Sequence, residues 1–398
     1  MKQSTWILPF IVISQFCCTS LWFAGNGVMA DLTANFSLNS SALGHLTSAV
    51  QFGFISGTLV FALLSIADRY SPSRVFFLSA LFGAIANVGL IWQSNTLPSL
   101  LLLRFFTGFF LSGIYPVGMK IAADYYDKGL GKSLGFLVGA LVLGTAFPHL
   151  LKAVTTNFPW KSVLFGTSFL AMAGGTLIFM LVPDGPFRKP GQGINLSAFF
   201  SVFKNKGFRS AAFGYFGHMW ELYAFWAFVP FMLESYAVNF KSSSLNVPVL
   251  SFLIIGIGGP ACVIGGYVSE NFGTKKTATI ALLSSCFCCL VSPLIFQLNS
   301  QFTFLAFLFF WGIVVIADSP LFSTLVAKNA PSEIKGTALT IVNCLGFSIT
   351  IISIQLLNGM RNILEYNVLY IFLAIGPLLG LIALSRKSTS NNAGYKKA

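Results

Sequence analysis

Charge is what this chain has least of. Only 9% of its 398 residues are Asp, Glu, Lys or Arg, against 55% hydrophobic, and its mean hydropathy is +0.79. A soluble domain carries about 25% charged residues, so a water-surrounded globule is excluded. The short alternating strands of a membrane barrel are missing as well. Cysteine supplies no framework: Cys17, Cys18, Cys262, Cys286, Cys288, Cys289 and Cys344 lie in apolar runs without CxxC spacing, so neither disulfides nor a zinc site are indicated. The Cys286-Cys288-Cys289 group reads as small packed hydrophobes. There is no HExxH, no GxSxG and no phosphate-binding loop. The chain is therefore not expected to be an enzyme or an ATP-driven pump, and no cofactor or metal is expected.

What is present is a series of apolar stretches, each about as long as the roughly 20 residues that cross a bilayer. Twelve can be drawn, at 6–30, 44–66, 75–94, 98–122, 134–155 and 162–182, then 208–233, 247–268, 277–297, 302–326, 337–359 and 367–385. The expected fold is an all-α polytopic membrane protein whose partner is the lipid bilayer. Residues 1–30 mimic a secretory leader, with a basic start and Val28-Met29-Ala30 as a mock cleavage site. They are read as the first span, because removing them spoils both the charge parity and the repeat between halves. The longest interruption runs through Asp184, Gly185, Pro186, Arg188, Lys189, Pro190, Gly191 and Gly193. It divides the chain into residues 1–183, a linker at 184–206, residues 207–386 and a tail at 387–398. The second part of this stretch is expected to form a short amphipathic helix on the membrane surface.

The formal charge of +13 is placed unevenly. If Lys2 starts in the cytoplasm and each run crosses once, the opposite side receives only Lys152, Lys161, Lys241 and Arg361, and Arg104 falls inside a span. All other lysines and arginines share the side of Lys2. This is the positive-inside bias, with both termini cytoplasmic, and nucleic acid is not an expected partner.

The two halves echo one another. Asp68-Arg69-Tyr70-Ser71-Pro72-Ser73-Arg74 joins the second and third spans, and Gly266 through Glu270, Gly273, Lys275 and Lys276 joins the eighth and ninth. Spans four and ten carry Pro116 and Pro320 at matching places. These features resemble the major facilitator superfamily of secondary transporters, whose loop signature is G-x3-D-R-x-G-R-R/K. The second copy fits, with Glu270 for Asp and Asn271 for Arg. The first keeps Asp68, Arg69 and Arg74 but has Leu64 and Ser71 in place of the glycines. Arg104-x3-Gly108 matches the family's fourth-span pattern. The resemblance implies twelve transmembrane helices in two pseudo-symmetric six-helix bundles, alternating access, and a central cavity lined by spans 1, 4, 7 and 10. It also implies that Asp68, Arg69, Arg74, Glu270 and Lys275 act as a gating latch; the structural alternative is that they only solvate tight turns.

Ionisable groups within spans are costly and mark function by default. Here they are Arg104 in span 4, His218 and Glu221 in span 7, and Asp318 in span 10. His218 and Glu221 are three apart and share one helical face, which suits proton coupling with Asp318 as a second site; the alternative is an interhelical hydrogen bond. Arg104 is a candidate for holding a substrate carboxylate or for pairing with a buried acid such as Asp318. Gln15, Thr19, Trp22 and Asn26 fall on one face of span 1 and, with Tyr223, Trp220 and Trp226, are candidate solute-binding groups. Aromatic anchoring at the interface is the competing account. Lys120, His45 and His149 lie near span ends, where snorkelling or a wet surface explains them. Small-residue steps at Gly53-x3-Gly57 and Gly135-x3-Gly139 permit close helix approach.

The expected function is secondary active transport of a small, anionic or zwitterionic solute, coupled to protons as symport. The alternative is proton-driven efflux of amphipathic compounds or a metallophore. A non-transporting receptor is favoured only by the degenerate first turn. The expected setting is a bacterial inner membrane, and the expected working unit is a monomer.

Overall fold

The computed structural model describes residues 6–126, 130–155, 158–188, 202–241, 245–331 and 334–386. Among these residues all regular structure is helical. Nine helices among the described residues are long and apolar enough to cross a membrane. Three further crossings complete twelve. Span 7, Lys206–Asn239, is the longest helix at 34 residues but carries Glu221, Glu234 and two basic residues. Spans 1 and 12 are interrupted: Ile7–Thr19, Ala24–Gly27 and Met29–Asn35 in the first, a 3-10 turn Leu369–Ala374 followed by Ile375–Ser385 in the last.

The halves repeat each other in their irregularities. Span 4 breaks into Leu97–Leu111 and Tyr115–Tyr125, span 10 into Gln301–Ala317 and Ser319–Asn329. In each, the proline expected from sequence starts the second segment, where its missing N–H costs nothing. Within the first half span 1 packs on spans 5 and 6 and span 2 on span 4; within the second, span 7 packs on spans 10, 11 and 12. The halves meet through span 2 against span 11 and span 5 against span 8, contacts exchanged by the same two-fold relation. Close approach is built from glycine. A Cβ on Gly53 would fall on the Phe105 carbonyl and one on Gly108 on the Val50 carbonyl, while one on Gly139 would sit 3.1 Å from the Gly259 carbonyl across the interface.

The turn between spans 8 and 9 places Gly273 at φ +87°, a left-handed position that glycine takes without strain. In the first copy the residue at the matching place, Ser71, has φ −58°, and the left-handed residue is Ser65, at φ 49°. The degenerate motif therefore makes its turn with the left-handed residue moved back to Ser65, directly after Leu64, at about 1 kcal/mol for a non-glycine.

The linker is only partly described. Residues 184–188 dock on the first half: Arg188 donates to the carbonyls of Asp68 and Tyr70, Ser71 donates to Asp184, and the Phe187 N–H donates to the Asp124 carbonyl. Residues 189–201, where most of the expected surface helix falls, lie outside the described residues, as does the tail at 387–398. The first helix of the second half starts at Lys206, the last residue of the expected linker.

Candidate functional site

The centre of the molecule, between the halves, is filled by aromatic rings. Trp22 lies 4.8 Å from Phe54, 5.6 Å from Tyr223 and 5.7 Å from Phe347. Tyr223 in turn stands 5.2 Å from both Trp226 and Phe347. Spans 1, 2, 7 and 11 supply these rings, so each half contributes one wall. Trp22 and Tyr223 are thus brought together as sequence reasoning expected, and buried at 1% and 3% exposure they are not interfacial anchors. Phe54 and Phe347 were not legible as partners, because phenylalanine is so frequent here (43 residues) that no single one stands out.

Span 1 is broken between Thr19 and Ala24, which separates Gln15 from Asn26 and corrects the expectation of one continuous face. The break frees the carbonyls of Leu21 and Trp22, and Arg104 fills the gap by donating to both, at 3.2 Å from Nη1 to Leu21 and through Nη2 to Trp22. Arg104 is buried and its Nε has no partner among the described residues. It therefore clamps backbone rather than pairing with Asp318, as sequence reasoning had allowed.

Several buried polar atoms near the centre have no hydrogen-bond partner among the described residues: both amide atoms of Gln15, Nε2 of Gln51, Nε1 of Trp226 and Nε2 of His218. Leaving such a group unpaired costs about 1–3 kcal/mol. A group of them in one region marks where a polar solute gains most by binding. Gln51 was missed from sequence; its Oε1 accepts from Trp22 Nε1 at 3.2 Å, a contact that no spacing rule reveals. Asn26, one of the expected solute-binding groups, instead donates to Thr47 at 2.8 Å.

The ionisable groups of the second half form two neighbouring contacts between spans 7 and 10. His218 Nδ1 lies 2.7 Å from Asp318 Oδ1, off the line of a good hydrogen bond, and both groups are almost fully buried. Asp318 occupies the break in span 10. One turn along, Glu221 accepts from Trp311 Nε1 at 2.6 Å, Ser285 Oγ at 2.8 Å and Cys289 Sγ at 3.3 Å. Three donors from spans 9 and 10 thus hold Glu221 within the second half. Trp311 and Asp318, seven apart, share a face, as do Glu221 and His218. Cys289, read as inert packing, is in part a donor.

At the face carrying the linker, Asp68 pairs with Lys120 at 2.8 Å, and Lys120 lies 3.7 Å from Asp124. Lys120 is therefore a partner of the first turn and not the snorkelling side chain expected from its place near a span end. Arg69, Arg74, Glu270 and Lys275 are exposed. Glu270 and Lys328 line a cavity of about 560 Å³ with Gly135 of the other half. At the opposite face, a cavity of about 530 Å³ lies between the halves, lined by residues that include Asn26, His149, Glu234, Ser251 and Arg361. His149 is 3% exposed with Nε2 unpartnered among the described residues, so it is a buried wall residue and not the wet span-end group expected. Asp31 and Lys152 pair at 2.6 Å at this cavity. Three hydrogen bonds join spans 2 and 11 beside it: Gln355 to Ser48 at 2.8 Å, Asn358 to the Ser41 carbonyl at 3.2 Å and Asn362 to Ser40 at 3.2 Å.

Two bundles that meet at an aromatic centre, with a cavity between them at each face, suit a membrane transporter, and comparison with known proteins agrees. The chain belongs to the Major Facilitator Superfamily, whose model matches residues 11–354. It is 23% identical over 375 residues to the cis,cis-muconate transport protein of Acinetobacter baylyi, covering 84% of this chain and 83% of that one. A shorter match, 26% over 186 residues, links it to the 4-hydroxybenzoate transporter PcaK of Pseudomonas aeruginosa, covering 44% of this chain and 36% of that protein. In fold it superposes on a D-xylose-proton symporter with a TM-score of 0.76 at 14% identity, covering 95% of both chains. On the nucleoside transporter NupG the TM-score is 0.71, again at 14% identity, over 95% of this chain and 98% of that one.

Proposed function

We propose that this transporter carries a small organic acid inward across a bacterial inner membrane by alternating access, together with protons. The observation that carries this reading is the buried His218–Asp318 contact at the break of span 10. A carboxyl and an imidazole in contact can share and release one proton, and a buried acid and base without that role are expensive to keep. The organic-acid class is supported by the relatives named for muconate and 4-hydroxybenzoate, both carboxylates. It also accords with the aromatic centre, where the solute's apolar body would lie against Trp22 and Tyr223. Gln15, Gln51 and Trp226 would supply its polar contacts.

In this scheme the solute enters by the cavity lined by Asn26, His149 and Arg361, on the face taken to be extracytoplasmic. Proton binding at Asp318 and His218 accompanies its arrival at the centre. The bundles then rock about spans 2, 5, 8 and 11, the bonds from Gln355 and Asn358 break or re-form, and the path opens beside Glu270 and Lys328. Glu221, already held by three donors, orients span 10 and passes protons only if its cage opens. Arg104 keeps the broken segment of span 1 in shape.

The test uses proteoliposomes loaded with a pH dye, with cis,cis-muconate or 4-hydroxybenzoate added outside and no gradient imposed. Lumen acidification that follows the solute supports symport. No proton movement with a wide set of carboxylates added outside, but movement when they are loaded inside, would replace uptake with export. Proton-driven export of amphipathic compounds is the second reading, favoured by the aromatic centre and by the 26% identity over 185 residues to the efflux pump FUB11 of Gibberella moniliformis.

A further inference from the structure

A feature left unused by transport lies on the outside of the second half, where spans 7 and 12 meet the face that carries the linker. Deeper in, these helices touch through glycine: a Cβ on Gly217 would strike the Gly376 carbonyl, and one on Gly380 would sit 3.4 Å from the Gly214 carbonyl. Toward the helix ends they part. Ser210 Oγ donates to the Ala383 carbonyl at 2.9 Å and forms the floor of a groove of about 630 Å³. Its outer rim is Lys206, Arg209 and Arg386, all exposed, and its wall toward the membrane is Phe213, Leu379 and Ile382, also exposed. No acidic residue lines it. Lys206 and Arg209 are three apart and so project from one face of span 7. Arg386 caps the last helix from the other side.

We propose that this groove binds one anionic phospholipid, with its phosphate held by Lys206, Arg209 and Arg386 and its acyl chains running down over Phe213, Leu379 and Ile382. Each part of the lipid meets its complement. A phosphate is matched by guanidinium forks and an ammonium, and the chains continue the lipid-facing surface of two spans. Basic clefts between transmembrane helices at the headgroup level are built for such headgroups. A soluble anion would use the rim but leave the apolar wall without a role, so the lipid is the occupant the groove fits. Span 7 also carries His218, Glu221 and Tyr223, so the site tethers the helix at the centre of transport to the bilayer.

The experiment is native mass spectrometry of the full chain in detergent with equal amounts of phosphatidylglycerol and phosphatidylcholine. Wild type is compared with Lys206→Gln/Arg209→Gln/Arg386→Gln. A second variant, Arg69→Gln/Arg74→Gln/Lys276→Gln, removes the same charge from other turns on this face. Wild type and the second variant are expected to prefer phosphatidylglycerol by about tenfold, and the groove variant to bind both within about twofold. Preference retained in the groove variant overturns the site. Equal loss in both variants overturns it too, leaving only general surface charge, and so does the absence of any preference in wild type.

Discussion

The two halves share a fold and a pair of broken spans, yet they place their charges differently. In the first half the ionic contacts sit at the ends, where Lys120 joins Asp68 and Lys152 joins Asp31. Its one charge at depth, Arg104, is spent on carbonyls of span 1. In the second half the turn residues Glu270 and Lys275 are exposed, and the charges lie at depth, His218 on Asp318 and Glu221 in its cage of donors. Under the proposed alternating access a duplicated scaffold tolerates this, because rocking would need symmetry only at the interface, in spans 2, 5, 8 and 11. Groups that exchange protons need a single protected location. On the proposed function, this difference would place proton handling in the second half and mechanical restraint in the first.

The sharpest way to break that assignment is Asp318→Asn. The amide keeps the shape and loses the titration, so solute-driven acidification in proteoliposomes should fall by about 100-fold or more, the scale of a lost proton-transfer group. Solute binding to the purified protein should change by no more than about threefold, since the proposed contacts come from Gln15, Gln51 and Trp226. Acidification that survives the change would remove the second half from its role.

Glu221→Gln comes next. The amide oxygen still accepts from Trp311 and Cys289, but its N–H groups then face the donor Ser285. A destabilisation of about 1–3 kcal/mol in thermal unfolding is expected from that mismatch, with transport slowed by roughly tenfold and the ratio of protons to solute unchanged. A changed ratio would place Glu221 on the proton path beside Asp318. In the first half, Arg104→Gln should reduce stability by about 1.5–3 kcal/mol, the worth of hydrogen bonds from a charged donor, again with the ratio unchanged. An altered ratio there would contradict the division between halves.

Much of this was legible in the sequence, and for identifiable reasons. Twelve spans follow from hydrophobic length alone, and the prolines of spans 4 and 10 fall at segment starts because fixed φ and a missing donor admit few other places. Rare ionisable residues in apolar runs pointed to His218, Glu221 and Asp318 since burial of charge is too costly to be accidental. What escaped were relations between distant residues. The break at Thr19–Ala24 has no proline, so the misplaced face of Gln15 and Asn26 could not be seen, nor the carbonyls that Arg104 would find. Lys120 and His149 sit near span ends in sequence, where the same position serves a snorkelling side chain, an ion pair or a cavity wall. Only packing separates those cases.

The smallest effect sharpens the comparison at the interface. Hydrogen bonds from Gln355 and Asn358 cross between the halves, whereas the Asp68–Lys120 pair lies within one half. Under the proposed rocking, bonds of the first kind would restrain the motion and those of the second would not. Interhelical hydrogen bonds in membranes average about 0.6 kcal/mol, so Gln355→Ala with Asn358→Ala should shift the balance of open and closed forms by roughly sevenfold. The readout is the rate at which a thiol reagent labels Thr33→Cys in the adjoining cavity, in a background carrying Cys344→Ser because the other native cysteines are buried. Labelling should quicken by about that factor in the double variant, and Lys120→Gln should leave it within about twofold, as for a half-buried pair that does not cross between the halves. If Lys120→Gln quickens labelling as much, the first turn communicates with the far face, and the latch is one device spanning both ends of the molecule.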